Sequence, residues 1–227
     1  MATESQCPVK HETSLPGTSS GCPVKHDRGG LNETNHIPAD LNNLPAPDQR
    51  MPLNTNRTVS SIPKGDGGRW EYPSPQQFHN ALRRKNMQTE EEHVETMVLI
   101  HNFLNERCWR EVLRWEQMRP VNQTQCRNVM PMLYKFQGRP QDPTPKARIL
   151  SFLGISPKPF DTHEWYVKRC DGTSRRYVID YYGGEGENEG VFHCDVRPAL
   201  ETLDGWIDRT KWVWRNWTEN RQTTDQD

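Results

Sequence analysis

The sequence predicts an α+β fold, with helices packed around a small antiparallel three-stranded meander and a disordered N-terminal tail. Three observations carry that expectation. Apolar positions recur at steps of three and four from Val94 to Trp115, the mark of a long amphipathic helix. Three strand-like runs, Glu164 to Arg169, Arg175 to Tyr182 and Val191 to Val196, follow in close order, the first two separated by the tight-turn pair Asp171-Gly172. Residues 1 to 60 contain no aromatic side chain, whereas all 20 aromatics (8 Trp, 6 Tyr and 6 Phe) lie between Trp70 and Trp217. With 32% apolar residues and a mean hydropathy of -0.99, the chain cannot support a core along its whole length.

These limits divide the 227 residues into three parts. Residues 1–60 read as a disordered tail whose Pro/Asn-rich stretch from Ile37 to Arg57 is linker, residues 61–218 as the folded domain, and residues 219–227 as a disordered C-terminus.

The folded part opens with a capping box, in which Ser74 precedes Pro75 at the first helical position and Gln77 stands three residues on. A first helix follows to about Lys85, with Phe78, Ala81 and Leu82 on one side. Thr89 and Glu92 spell a second capping box, and the acidic run Glu90 to Glu92 suits the positive end of a helix dipole. The apolar stripe of this second helix is Val94, Met97, His101, Leu104, Cys108, Val112 and Trp115, ending at Arg119-Pro120. Asn102 and Asn105 are poor interior residues and good caps, so a break there would put His101 at a helix end. Pro120 to Pro143 reads as a long loop. Thr144-Pro145 starts a short helix that stops at Gly154, the three strands follow, and Pro198 begins a last helix bearing Trp206, Trp212, Trp214 and Trp217. Four tryptophans in one helix serve as core or interface bulk, as a wall for a flat aromatic ligand, or as a headgroup-level membrane contact.

Charge excludes one class of partner. The first 60 residues hold 5 basic and 6 acidic side chains and the rest hold 24 of each, so no general nucleic-acid surface is expected. A local excess runs from Arg139 to Arg176, with eight basic side chains against four acidic ones, and is either a receptor for anionic groups or a solvated face. No apolar run approaches the roughly 20 residues needed to span a bilayer. No secretory or Arg-rich presequence is legible at the start, so any organelle address is expected to be internal. The six cysteines form no C-x-x-C pair, which weighs against a disulfide scaffold and a dithiol redox motif.

Two features carry chemistry. Residues 7–11 and 22–26 repeat Cys-Pro-Val-Lys-His, placing Cys7 and Cys22 each before a proline and four residues ahead of a histidine. Proline stiffens the backbone and removes a donor, leaving the sulfur open to a flat cofactor, and thiolate is an axial ligand of haem iron. Duplicated spacer and a Cys2His2 zinc site are the alternatives, the latter disfavoured by a spacing far wider than structural zinc uses. The second feature is His101 inside an apolar stripe. A lone histidine there is commonly a packed residue bonded to a carbonyl, but a neutral imidazole on a dry wall is also what an iron porphyrin needs.

Taken together, the residues resemble the holocytochrome c synthase family, the cytochrome c-type haem lyases of mitochondria. The resemblance rests on the Cys-Pro-Val elements, Ser60-Ser61-Ile62-Pro63, Trp70-Glu71-Tyr72-Pro73-Ser74, His101-Asn102 through Asn105-Glu106 to Trp109 and Trp115-Glu116, and Pro159-Phe160-Asp161 with His163 and Trp165. It continues through Arg176-Tyr177-Val178-Ile179-Asp180-Tyr181-Tyr182 and Asp195-Val196-Arg197-Pro198-Ala199-Leu200, covering about Ser60 to Trp217. Family members commonly carry Arg or Lys where Thr162 stands here.

The resemblance implies a lyase that attaches haem b covalently to the Cys-x-x-Cys-His cysteines of apocytochrome c or c1, through thioether bonds to the vinyl groups. It implies that His101 is the axial ligand of the haem iron and the catalytic residue, that Trp70 and Tyr72 stack on or border the haem, with plain core packing the alternative for Tyr72, and that His163 is secondary, as a second ligand or a hydrogen-bond partner. Arg148 and Arg169 are candidate partners of the propionates, with surface salt bridges as the alternative, Cys7 and Cys22 are candidate transient iron ligands, and Glu106 belongs to the substrate interface or to a structural pair. It further implies residence on the intermembrane-space side of the inner mitochondrial membrane with peripheral membrane contact. A non-enzymatic haem chaperone or sensor and a protein-only adaptor are the alternatives.

Overall fold

In the computed structural model the protein is described over residues 42–87, 89–118, 130–139, 142–183 and 192–224. The tail with Cys7 and Cys22 lies outside the described residues. In chain order the elements are β1 (Val59–Pro63), β2 (Arg69–Glu71), α1 (Pro75–Arg84), a 3-10 turn (Glu91–His93), α2 (Val94–Gln117), β3 (Met132–Gly138), α3 (Pro145–Phe152), β4 (Asp161–Lys168), β5 (Ser174–Gly183), β6 (Phe192–Pro198) and α4 (Leu203–Thr224).

The expected three-stranded meander is corrected by this architecture. β4, β5 and β6 do pair in sequence order, but β3 pairs antiparallel with β4 and makes the sheet four-stranded, β3-β4-β5-β6. A separate two-stranded sheet of β1 and β2 sits beside it. β3 arises inside the stretch assigned to loop. Its register shifts between Leu133 and Lys135, so the two-residue alternation that signals a strand is broken at that point.

Helix boundaries follow the local chemistry with two exceptions. Ser74 Oγ accepts the Gln77 amide and Gln77 reaches back to the Ser74 amide, the reciprocal capping the sequence predicts for α1. The Thr89/Glu92 box does not form; the chain enters α2 through the 3-10 turn, and no side chain caps either element. Asn102 and Asn105 do not break α2, which runs unbroken for 24 residues. At the other end Pro198 closes β6 instead of opening a helix, and α4 starts at Leu203.

The core lies between α2 and one face of the four-stranded sheet. Leu104, Cys108, Trp109, Val112 and Trp115 from α2 meet Trp165, Val167, Tyr177, Ile179, Tyr181 and Val196, with Ile62 and Trp70 from the small sheet. Trp109 packs on Trp165, and Trp115 donates its indole N–H to the Val196 carbonyl at 2.8 Å while stacking on Trp212 of α4 at 4.4 Å. On the opposite sheet face α3 is pinned by a buried ion network. The fully buried Asp180 carboxylate accepts from Thr144, Thr162 and Arg197. Thr162 therefore spends its hydroxyl inside the network, at 3.1 Å from Asp180.

The local basic excess is neutralised from within. Arg139 and Arg176 pair with Glu164, Lys146 with Asp195, Arg148 with Asp142, Arg169 with Glu116 and Arg175 with Asp208. Six of the eight basic groups thus serve the fold's own carboxylates. Among the described residues no helix is long and apolar enough to cross a membrane.

Candidate functional site

His101 sits near the centre of the α2 core stripe, since Val94, Val112 and Cys108 all fall within about 20° of it at 100° per residue. Its ring lies 5.6 Å from the ring of Phe78 on α1, so the crossing of α1 over α2 builds one wall around it. Burial, reinforced by the nearby imidazole of His163, pushes the His101 pKa down to about 4. The ring is therefore neutral at pH 7, with a free lone pair.

The facing wall comes from the sheet. His163 and Asp161 are two residues apart on β4 and so project to the same side, and His163 Nε2 lies 3.0 Å from Asp161 Oδ2. Burial alone raises the Asp161 carboxyl, but the hydrogen bond and charge of His163, with the Thr162 amide, hold it below the usual carboxylate range. The His163 ring also meets Tyr181 edge-on at 5.2 Å. Tyr181 in turn donates to Asn105 Oδ1 at 2.9 Å, one helical turn beyond His101.

Room for His163 depends on a glycine. Gly138 is its cross-strand partner on β3, and a Cβ there would stand 3.2 Å from His163 Nε2. Any side chain at that position forces the imidazole to yield or move.

The other expected site residues divide into separate groups. Glu106 is five residues after His101, about 140° around the helix, and faces the small sheet. Its carboxylate accepts from Ser60 Oγ at 2.6 Å, the Ser61 amide at 3.0 Å, the Ser61 hydroxyl and the Tyr72 hydroxyl at 3.0 Å. Burial opposes its ionisation, but those donors outweigh burial and lower its pKa. Tyr72 is raised by burial and then by the Glu106 charge, so its hydroxyl remains a donor. Trp70 is buried against Phe136 at 5.1 Å and gives its indole N–H to the Leu133 carbonyl at 2.8 Å. Trp70, Tyr72 and Glu106 thus form one structural unit holding the small sheet on α2.

Glu106→Ala should release the β1 strand. The expected loss is about 1.5–3 kcal/mol, the value of charge-assisted hydrogen bonds left unmade, read as a lowered urea midpoint. Glu106→Gln, which keeps acceptor oxygen, should lose less.

The two candidate arginines are placed differently from each other. Arg169 is half-buried and donates through Nε and Nη2 to Glu116 at 2.7 and 2.9 Å, a fork in which Tyr177 also donates to Glu116. Glu116 is fifteen residues from His101 on α2, about 22 Å along the axis. Arg148 is exposed on α3, bonded to Asp142 at 2.7 Å. Sequence reasoning missed Asp161 and Tyr181 as partners of His163. The Asp-x-His spacing was a usable signal only if β4 was recognised to begin at Asp161 and not at Glu164.

The assembled site is a neutral imidazole on a half-buried helix face, with a phenylalanine beside it and a carboxylate-oriented second imidazole on the adjoining strand. Such an arrangement can ligate a metal carried by a flat apolar group.

Comparison with known proteins points the same way. A family model described as cytochrome c/c1 heme lyase matches residues 1–213. The chain is 41% identical over 236 residues to a holocytochrome-c synthase of Saccharomyces cerevisiae, covering 92% of this chain and 86% of that one. It is 42% identical over 199 residues to a holocytochrome c-type synthase of Bos taurus (82% and 70% covered) and 41% identical over 199 residues to one of Homo sapiens (82% and 72%). No solved structure matches the chain.

Proposed function

The chain belongs to the cytochrome c/c1 heme lyase family, and from that premise we propose that it is a holocytochrome c synthase. It joins haem b to the Cys-x-x-Cys-His segment of apocytochrome c or c1 through two thioether bonds. In each bond the sulfur adds to the vinyl carbon next to the porphyrin ring and the thiol proton ends on the outer carbon. No atom is lost and no oxidant is consumed. The protein supplies position: it fixes the haem so that both vinyls meet the two thiols.

The observation that carries the residue assignment is the half-buried, neutral His101 on the core stripe of α2. It takes one axial side of the iron, and the histidine of the substrate segment takes the other. His163, its ring fixed by Asp161, is the secondary haem contact. Trp70 and Tyr72 border the haem region through the small sheet, and Glu106 fixes that sheet against α2 for the substrate to approach. Arg148, exposed and bonded to Asp142 at 2.7 Å, and Arg169, which spends two guanidinium donors on Glu116, are the propionate candidates, each of which must exchange a carboxylate for a propionate. Cys7 and Cys22 give transient thiolate contacts during loading, and replacing both should leave the final yield intact.

Residence is mitochondrial, on the intermembrane-space side of the inner membrane with peripheral contact. The exposed Trp206, Trp214 and Trp217 of α4 support that placement.

Co-expression with apocytochrome c, in a bacterium lacking its own maturation system, tests the proposal. Haem staining after denaturing electrophoresis should show a covalent product that vanishes when both substrate cysteines are replaced. A haem chaperone or sensor would take up haem and leave no stained band, which would overturn the enzymatic reading.

The depressed pKa of His101 adds a pH prediction. A protonated imidazole cannot ligate iron, so lowering the pKa extends the competent range downward. Haem affinity through His101 should stay level from pH 7.5 to 5.5, where an ordinary histidine of pKa about 6.5 would already be mostly protonated. It should then fall about tenfold per pH unit below pH 4. Spectrophotometric titration at stepped pH checks this.

A further inference from the structure

α1 buries a polar face. Gln76 is 1% exposed and His79 3%, whereas Phe78 on the other side of the helix is half-buried. Residues 42–57, ahead of β1, close over that polar face through a seam of hydrogen bonds. Gln49 and Gln76 exchange amide bonds at 2.9 and 2.7 Å, the Asn54 carbonyl accepts the Gln76 backbone amide at 3.1 Å, and the Leu44 carbonyl accepts the Asn80 side chain at 3.0 Å. Asp48 pairs with Arg83 at 2.5 Å.

The same segment is fastened beyond α1. The Glu91 carboxylate, in the 3-10 turn that leads into α2, accepts the Arg50 amide at 2.9 Å and the Met51 amide at 2.6 Å. At the other end Arg57 donates to the Tyr72 and Glu71 carbonyls at 3.1 and 3.2 Å. The chain thus crosses α1 between two fixed points, one at the entry to α2 and one at the end of β2. α1 itself has ten residues, and apart from Pro75 its apolar side chains are Phe78, Ala81 and Leu82, which share the side opposite Gln76, Asn80 and Arg83. A helix that short is marginal alone, so its place on α2 depends on what grips its polar face. That place sets Phe78 at 5.6 Å from the His101 ring.

We propose that residues 42–57 are a positioning strap for His101, holding α1 down from its polar side so that Phe78 stays against the imidazole and limits access to it. Gln49 and Glu91 are positioning residues that act on His101 through α1. Faster haem loss from a released strap rests on His101 being the iron ligand; the shielding of His101 does not.

The shielding is tested on the purified full chain without haem. Gln49→Ala combined with Glu91→Ala should raise amide exchange over residues 75–84 about tenfold, the effect on a local opening equilibrium of losing one to two hydrogen bonds. Modification of His101 by diethyl pyrocarbonate, mapped by mass spectrometry, should accelerate in step, while exchange from Leu104 to Trp115 stays unchanged. Gln49→Ala combined with Glu91→Gln, which keeps an acceptor oxygen for the two amides, should bring both rates most of the way back. Unchanged exchange in α1 overturns the proposal. So does His101 modification at the parent rate once α1 exchange has risen, or exchange that rises equally in α1, α2 and the sheet. With haem added, the double alanine variant should release it faster than the parent; a parent that takes up no haem would refute the ligand assignment and leave the haem-free result standing.

Discussion

Replacement of His101 by alanine is expected to abolish covalent haem attachment while leaving a folded protein. Loss of an outer-shell partner costs a metal site roughly 10–100-fold, and removal of the ligand itself should exceed that range, taking the co-expressed product below the detection of a haem stain. The fold should survive because His101 makes no buried ion pair and its ring lies at the border of the core, against Phe78. Far-ultraviolet circular dichroism and a urea midpoint within about 1 kcal/mol of the parent would confirm that the loss is one of chemistry. Undiminished product from the variant would remove His101 from the mechanism.

The second large effect is expected far from the chemistry, at Arg197. This guanidinium is buried between Asp180, which has no solvent exposure, and Asp195, and it also reaches Thr144 at the start of α3. Arg197→Met keeps most of the side-chain volume but strands a carboxylate in the sheet interior. Stranding one partner of a buried pair costs about 3–5 kcal/mol. Equilibrium urea unfolding should show a loss of that size, and the Asp180→Ala, Arg197→Met double variant should recover part of it because no unpaired charge remains. A cost below about 1 kcal/mol, the range of surface pairs, would mean the network is solvated.

How much of this was legible in the residues varies by element, for physical reasons. α2 was legible because its core positions repeat at helical spacing over six turns, and that periodicity overrode the weak helix preference of Asn102 and Asn105. α1 was legible from its capping box. β3 was not, because it is an edge strand with only Leu133 fully buried, interrupted by a bulge and flanked by proline-rich chain. β1 and β2 were not, because Pro63 ends one and the other has three residues, too short for a pattern. Pro198 misled, since a proline suits both the first turn of a helix and the end of a strand.

For the site, His101 was visible as a polar residue out of place in an apolar stripe. Its partnership with His163 and Asp161 was not, because that depends on where β4 starts and on the pairing that sets Gly138 against His163. Glu106 and Arg169 stood out as charged residues in the resemblance, and only tertiary contacts reveal how far each is occupied. One binds the small sheet, and the other holds the far end of α2.

The most direct measurement is the low-spin ferric electron paramagnetic resonance signal of the full chain loaded with haem and a peptide bearing the Cys-x-x-Cys-His segment, compared with that of His101→Gly. The signal of histidine-ligated iron should disappear in the glycine variant and return when free imidazole is added to fill the space left behind. A spectrum unchanged by the substitution, with or without imidazole, would contradict the assignment of the iron to His101.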